Sequence, residues 1–145
     1  MLNQLAIGSA LIVITVLVHA TCLELILKVM LAIKKEIYVR WRVVTFALLI
    51  LAIFAAHVIE IWVWAVFFFF IEEISTFEAA LYFSTSSFTT VGFGDVTLTE
   101  EWRLLSSLEA TNGMILFGWS TAFIFAVIRG IYDHHYRGVE AYSSS

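Results

Sequence analysis

The chain has 145 residues, 61% of them hydrophobic and 14% charged, with a net charge of −4 and no proline. A soluble domain of this length cannot hide so much apolar surface, and a mean hydropathy of +0.95 places the chain in a membrane. One cysteine, Cys22, excludes an intrachain disulfide framework and a cysteine-based metal finger, and the lack of a basic patch excludes nucleic acid as a partner.

The first apolar run extends from about Leu5 to Ile33. It exceeds the roughly 20 helical residues that cross a hydrocarbon core of about 30 Å. It lacks a basic start and a small-residue cleavage site, so residues 1–33 are expected to be a retained transmembrane helix. Glu24 and Lys28 are four apart on one face; they either pair, or Lys28 reaches toward the headgroups and Glu24 follows. His19 lies near the middle of the run, where an ionisable group is costly and needs a partner.

Residues 34–42 carry four positive charges against one negative. Short loops of that kind stay in the cytoplasm. A second membrane-length run follows over 43–71, ending in Trp62, Trp64 and four consecutive phenylalanines, Phe67 to Phe70. Those aromatics suit a membrane–water interface and packing against a further element. Within this run His57 and Glu60 are three apart on one face, near the depth of His19. Two readings fit them: an intramembrane proton- or metal-sensing group, or a buried pair holding the first helix against the second. The second is preferred, because a metal site needs more ligands than this spacing guarantees.

Ser75-Thr76-Phe77-Glu78 reads as a capping box that opens a helix over 76–88. Such a helix is too short to cross, and a re-entrant half-helix is tolerated at membrane depth only where protein or a water-filled cavity surrounds it. Its C-terminal dipole would favour a cation near Ser86-Ser87-Phe88. The third long run spans 102–132. Gly113 and Gly118 act there either as bend points or as places of close helix approach. Glu109 and Asn112 are polar within the same run. Residues 133–145 read as a short cytoplasmic tail.

Charge also orients the chain. Glu72, Glu73, Asp95, Glu100 and Glu101 are offset only by Arg103, whereas Arg129 and Arg137 follow the last run. The asymmetry predicts N-terminus outside, residues 34–42 and C-terminus inside.

Between the second and third runs lies Thr89-Thr90-Val91-Gly92-Phe93-Gly94-Asp95. Gly92 and Gly94 bracket single bulky residues, so alternate positions can take backbone angles closed to residues with a Cβ. This run, set between two membrane-length apolar segments, resembles the selectivity filter of potassium channels. The resemblance covers roughly Val43 to Ile131: outer helix 43–71, pore helix 76–88, filter 89–95 and inner helix 102–132. Phe93 stands where many members carry tyrosine, and Gly113 where many carry a hinge glycine.

The resemblance implies an all-α membrane protein, three transmembrane helices plus a re-entrant pore helix per subunit, assembled as a homotetramer in a plasma or bacterial inner membrane. Four filter strands would stack rings of oxygens from Thr90, Val91, Gly92 and Phe93 around permeant K+, with no other cofactor. Gly94 would shape the strand, and Asp95 would tether its outer end, with Thr89 and Ser86 in support. The acid that buttresses the filter in some members is missing, because Ser86 stands in its place; Glu109 or Glu60 is a candidate replacement. Phe117, Thr121 and Phe125, at i, i+4 and i+8, would line the cavity below the filter and narrow it as a hydrophobic gate.

No helix carries Arg or Lys at every third position, so a voltage sensor is not expected. No His-Glu-x-x-His arrangement and no nucleophile–base pair is present, which sets an enzyme aside. The alternative is a poorly conducting sensor or assembly subunit that uses His19, His57 and Glu60.

Overall fold

The computed structural model describes residues 2–32 and 42–143, with side chains from 2 to 32 and from 43 to 130. The expected basic loop lies outside the described residues, save Arg42, which opens a helix. The fold consists of α1 (Leu2–Ala32), α2 (Arg42–Phe70), α3 (Phe77–Phe88) and α4 (Arg103–Ser143), with no strand among the described residues. α1, α2 and the Arg103–Gly130 part of α4 are long and apolar enough to cross a membrane. The chain is therefore an all-helical, multi-pass membrane protein. α3 has 12 residues, about 18 Å at ~1.5 Å per residue, and cannot cross. α4 continues past Tyr132 to Ser143, so the backbone of the segment read as a tail is helical up to that point.

α3 sits between α2 and α4 and packs on both. α1 also packs on both, while α2 and α4 touch each other only slightly. The start of α3 departs from the capping box. Thr76, not Ser75, is the N-cap: it is extended, with φ −129°, and its hydroxyl accepts the Ala79 N–H at 3.2 Å. The register shifts by one residue, so Glu78 loses the position from which it would have bonded back to the cap.

Bilayer-embedded helices gain no hydrophobic driving force from packing on each other, so small residues and hydrogen bonds hold them together. α1 obeys this rule. Its buried stripe is Gly8, Leu11, Thr15, His19 and Leu23, at three- and four-residue spacing. Gly8 takes the Leu105 and Leu108 side chains of α4 in the space a Cβ would fill. Asn112 Nδ2 donates to Thr15 Oγ1 at 2.7 Å, fully within the protein. The core splits into two apolar clusters, a large one around Trp64, Phe68, Phe88, Leu105 and Leu116, and a small one around Leu23, Leu49 and Ile53. Along α1 and α2 a polar layer of His19, His57 and Glu60 falls between them.

Candidate functional site

The segment read as a filter, residues 89–95, begins where α3 runs out of residues. A helix leaves its last carbonyls without intrahelical partners, and here the next residues take them. The Thr90 N–H donates to the Ser87 carbonyl at 2.9 Å, and Val91 and Gly92 both donate to the Ser86 carbonyl, at 3.0 and 3.2 Å. The Phe93 N–H reaches the Ser86 hydroxyl at 3.3 Å. Four consecutive N–H groups thus face α3. In a trans peptide the N–H of one residue and the C=O of the residue before it point in opposite directions, and no peptide bond here is cis. The carbonyls of Thr89, Thr90, Val91 and Gly92 therefore point away from α3.

An ordinary strand alternates its carbonyls, so this one-sided array needs an inverted backbone at every second residue. It has one: φ is +63° at Thr90, +57° at Gly92 and +77° at Gly94. Glycine accepts such angles freely and threonine does not, so Thr90 is held against its own preference by its bond to Ser87.

At the outer end, Tyr82 of α3 stacks on Phe93, with ring centroids 6.3 Å apart and planes within 9°. Its hydroxyl donates to Asp95 Oδ2 at 2.8 Å. The Asp95 carboxylate beside it holds the Tyr82 hydroxyl above the usual tyrosine range, first through that hydrogen bond. Behind the strand a cavity of about 240 Å³ opens among Tyr82, Ser86, Gly94, Asp95, Arg103 and Ser106. Ser86 and Tyr82 therefore span that gap between the helix and the strand.

The expected supports do not all act on the strand. Ser86 and Asp95 touch it or anchor it, and Thr89 caps α3 by donating its hydroxyl to the Thr85 carbonyl at 2.7 Å. Glu109 is fully buried behind α3 and faces the Ser84 hydroxyl without reaching hydrogen-bonding geometry. Glu60 is not available to the filter, because both its oxygens are taken by histidines.

The four inner-helix residues also divide. Gly113 is buried, and a Cβ on it would run into the Phe88 carbonyl at the end of α3. It is a point of close approach, whereas Gly118 faces open space. Phe117 turns toward the protein and meets His57 and Phe88 at 4.7 and 5.6 Å. Thr121 and Phe125 are exposed, Phe125 at 67%. The three-residue stripe is thus not one surface. Eight residues at ~100° each overshoot two turns by about 80°, which carries Phe125 off the face that Phe117 occupies.

In the polar layer, His19 Nδ1 and His57 Nδ1 lie 2.7 and 2.8 Å from the two oxygens of Glu60. Ser120 of α4 stands at the other side of both rings, its Oγ 3.0 Å from His57 Nε2 and 3.3 Å from His19 Nε2. The structure thus brings together the three residues that share a depth in the sequence. Ser120 and Tyr82 were missed. Ser120 had a weak signal, a lone serine in an apolar stretch, while Tyr82 had none, because its partner Asp95 lies beyond the helix.

The family model described as "Ion channel" matches residues 56–130, just over half of the chain, from the middle of α2 through α3, the filter and the membrane part of α4. No curated protein and no solved structure matches the chain. The matched span contains the half-helix, the one-sided filter strand and the glycine that α3 packs against; the chain belongs to this ion-channel family, that of the two-helix potassium-channel pore, here with an additional N-terminal helix.

Proposed function

We propose that the protein is a potassium-selective channel that conducts K+ passively through a filter completed by four copies of the chain. The observation that carries this reading is the row of four N–H groups donated to α3, which sends the carbonyls of Thr89 to Gly92 away from the subunit's own core. A single copy satisfies only the back of that strand. The residues from Thr90 to Asp95 are all exposed in a single copy. Carbonyl rings of this kind can replace the hydration shell of a dehydrated monovalent cation, as in the potassium-channel filter used as the standard example. In this reading Thr90, Val91, Gly92 and Phe93 supply the oxygens, Gly94 shapes the outer turn and Asp95 ties it to Tyr82. Thr121 and Phe125, exposed on α4, face the conduction path below. The filter mouth and N-terminus lie outside and the C-terminus lies in the cytoplasm, and no chemical reaction is catalysed.

The test is ion flux into liposomes reconstituted with the purified protein, potassium against sodium, wild type beside Gly92→Ala. A methyl group at φ +57° costs about 1–2 kcal/mol in each copy although it meets no neighbour. Potassium uptake that the variant loses, with sodium excluded, supports the reading. Equal uptake of both ions, or none from wild type, refutes it.

A further inference from the structure

The polar layer contains a deficit of hydrogens. His19, His57, Glu60 and Ser120 close a ring of four contacts, at 2.7 and 2.8 Å on the Glu60 side and 3.0 and 3.3 Å on the Ser120 side. They are deeply buried: His19 and Glu60 are fully so, Ser120 is 4% exposed and His57 7%. Each contact needs one hydrogen between its heavy atoms. A serine hydroxyl brings one, two neutral imidazoles bring one each, and an ionised carboxylate brings none. Three hydrogens cannot fill four contacts.

Where the shortage falls depends on the tautomers: with one imidazole hydrogen on Nδ1 and the other on Nε2, three contacts are filled and one Nδ1 lone pair faces a Glu60 oxygen. With both imidazole hydrogens on Nδ1, one Nε2 lone pair is left facing a lone pair of Ser120. With both on Nε2, the Ser120 oxygen accepts the two N–H groups with its two lone pairs, and its own O–H is free to donate elsewhere. The two Nδ1 lone pairs then converge with the Glu60 carboxylate, and a cation is needed among them. That is a metal-ligand set whose outer hydrogen bonds are already in place, since ligating histidines are normally oriented through their other ring nitrogen. The ligating atoms of the three residues lie within 4.8 Å of one another. Donors about 2.0–2.1 Å from a tetrahedral ion stand roughly 3.3–3.4 Å apart, so each ring nitrogen has to move about half an ångström from the Glu60 oxygen it now faces, and the two nitrogens, which face different oxygens, have to turn toward one ion.

We propose that His19, His57 and Glu60 bind a transition-metal ion of the zinc class inside the membrane, with Ser120 positioning both imidazoles. Two nitrogens and one carboxylate oxygen suit Zn2+, Co2+ or Ni2+ better than Mg2+ or Ca2+, and a three-residue set leaves a fourth position for water. The ion would fasten α1, which lies outside the family match, to α2 within it. It would also sit one ring from the filter, because His57 contacts Phe117 and Phe88, and Phe88 directly precedes Thr89. The site does not depend on the conduction reading, since metal content can be measured on protein that passes no current.

The experiment loads the full chain, purified in detergent without a polyhistidine tag, with ZnCl2 or CoCl2. Metal per chain is then measured by mass spectrometry after dialysis, and the cobalt form is examined by visible absorption. The expected result is one ion per chain, with the spectrum of a tetrahedral cobalt centre. His19→Gln and Glu60→Gln, which keep hydrogen-bonding groups in the layer, lose the ion while retaining wild-type helix content and elution volume. Ser120→Ala weakens binding about 10- to 100-fold. The double variant His134→Ala/His135→Ala, which removes the other imidazoles of the sequence, retains the ion. Folded wild type with no stoichiometric metal would overturn the proposal and assign the missing positive charge to a proton. Retention of the ion by both His19→Gln and Glu60→Gln would overturn it equally.

Discussion

The filter strand and the seam that holds α1 are both built from polar groups at membrane depth, yet they are finished in opposite ways. Along the seam, Thr15 meets Asn112 and the two histidines meet Glu60 and Ser120, all within one chain and out of contact with lipid. The filter strand is satisfied on one side only, and its carbonyl side and the Phe93 ring are exposed. Unsatisfied backbone cannot face hydrocarbon. A strand of this kind therefore demands either water or further copies around it, whereas the contacts of the seam are all made within one chain. The difference separates what one chain satisfies alone from what the proposed assembly would complete: α1 docks within the chain, and the pore of the proposed channel would need further copies.

The contrast is most severely strained by removing the carboxylate that both histidines face. Glu60→Ala leaves two buried imidazoles without their carboxylate and is expected to destabilise the chain by about 3–5 kcal/mol, read by denaturant titration in micelles. A loss below about 1 kcal/mol would show that the seam is not a buried network. Next comes the joint between pore helix and inner helix. Gly113→Ala forces a methyl against the Phe88 carbonyl and should cost about 1–3 kcal/mol. Gly118→Ala, in open space, should instead gain up to about 1 kcal/mol from helix propensity. Equal effects from the two glycines would refute the close approach.

Thr15→Val tests a smaller part of the seam. It removes the acceptor of Asn112 Nδ2, and interhelical bonds in bilayers average about 0.6 kcal/mol, reaching about 1.7. The gentlest probe lies on the filter side. The Tyr82 hydroxyl has its pKa raised in the folded protein by Asp95, so its contribution is complete below the ordinary tyrosine value near 10 and is lost as pH rises through the raised value. Filter occupancy measured by ion titration should weaken only at strongly alkaline pH, and Tyr82→Phe should abolish that dependence. An unchanged alkaline profile in Tyr82→Phe would place the titrating group elsewhere.

Much of the fold is legible in the sequence, because membrane helices announce themselves by length and apolarity and the candidate filter by its glycines. The two-residue alternation of Gly92 and Gly94 correctly marked where φ turns positive, but Thr90 escaped it. A threonine in that region is held there by its surroundings, and surroundings are not a property of local sequence. Phe117, Thr121 and Phe125 do not share one surface of the single chain, because a four-residue step drifts around a 3.6-residue helix. His19, His57 and Glu60 shared a depth in the sequence, but their contact required knowing that α1 packs against both α2 and α4. The signal for that packing lies within α1 itself. Gly8, Leu11, Thr15, His19 and Leu23 trace one face of α1 with a small residue and two polar ones, which is how a helix is marked for burial among others in lipid.

The most direct measurement is the reversal potential of the purified protein in a planar bilayer with potassium on one side and sodium on the other. A potassium-selective filter formed by Thr90 to Phe93 gives a reversal close to the potassium equilibrium potential, and Gly92→Ala loses that potassium current. A wild-type reversal near zero would contradict the claim that these carbonyls select the ion, whatever the chain's assembly.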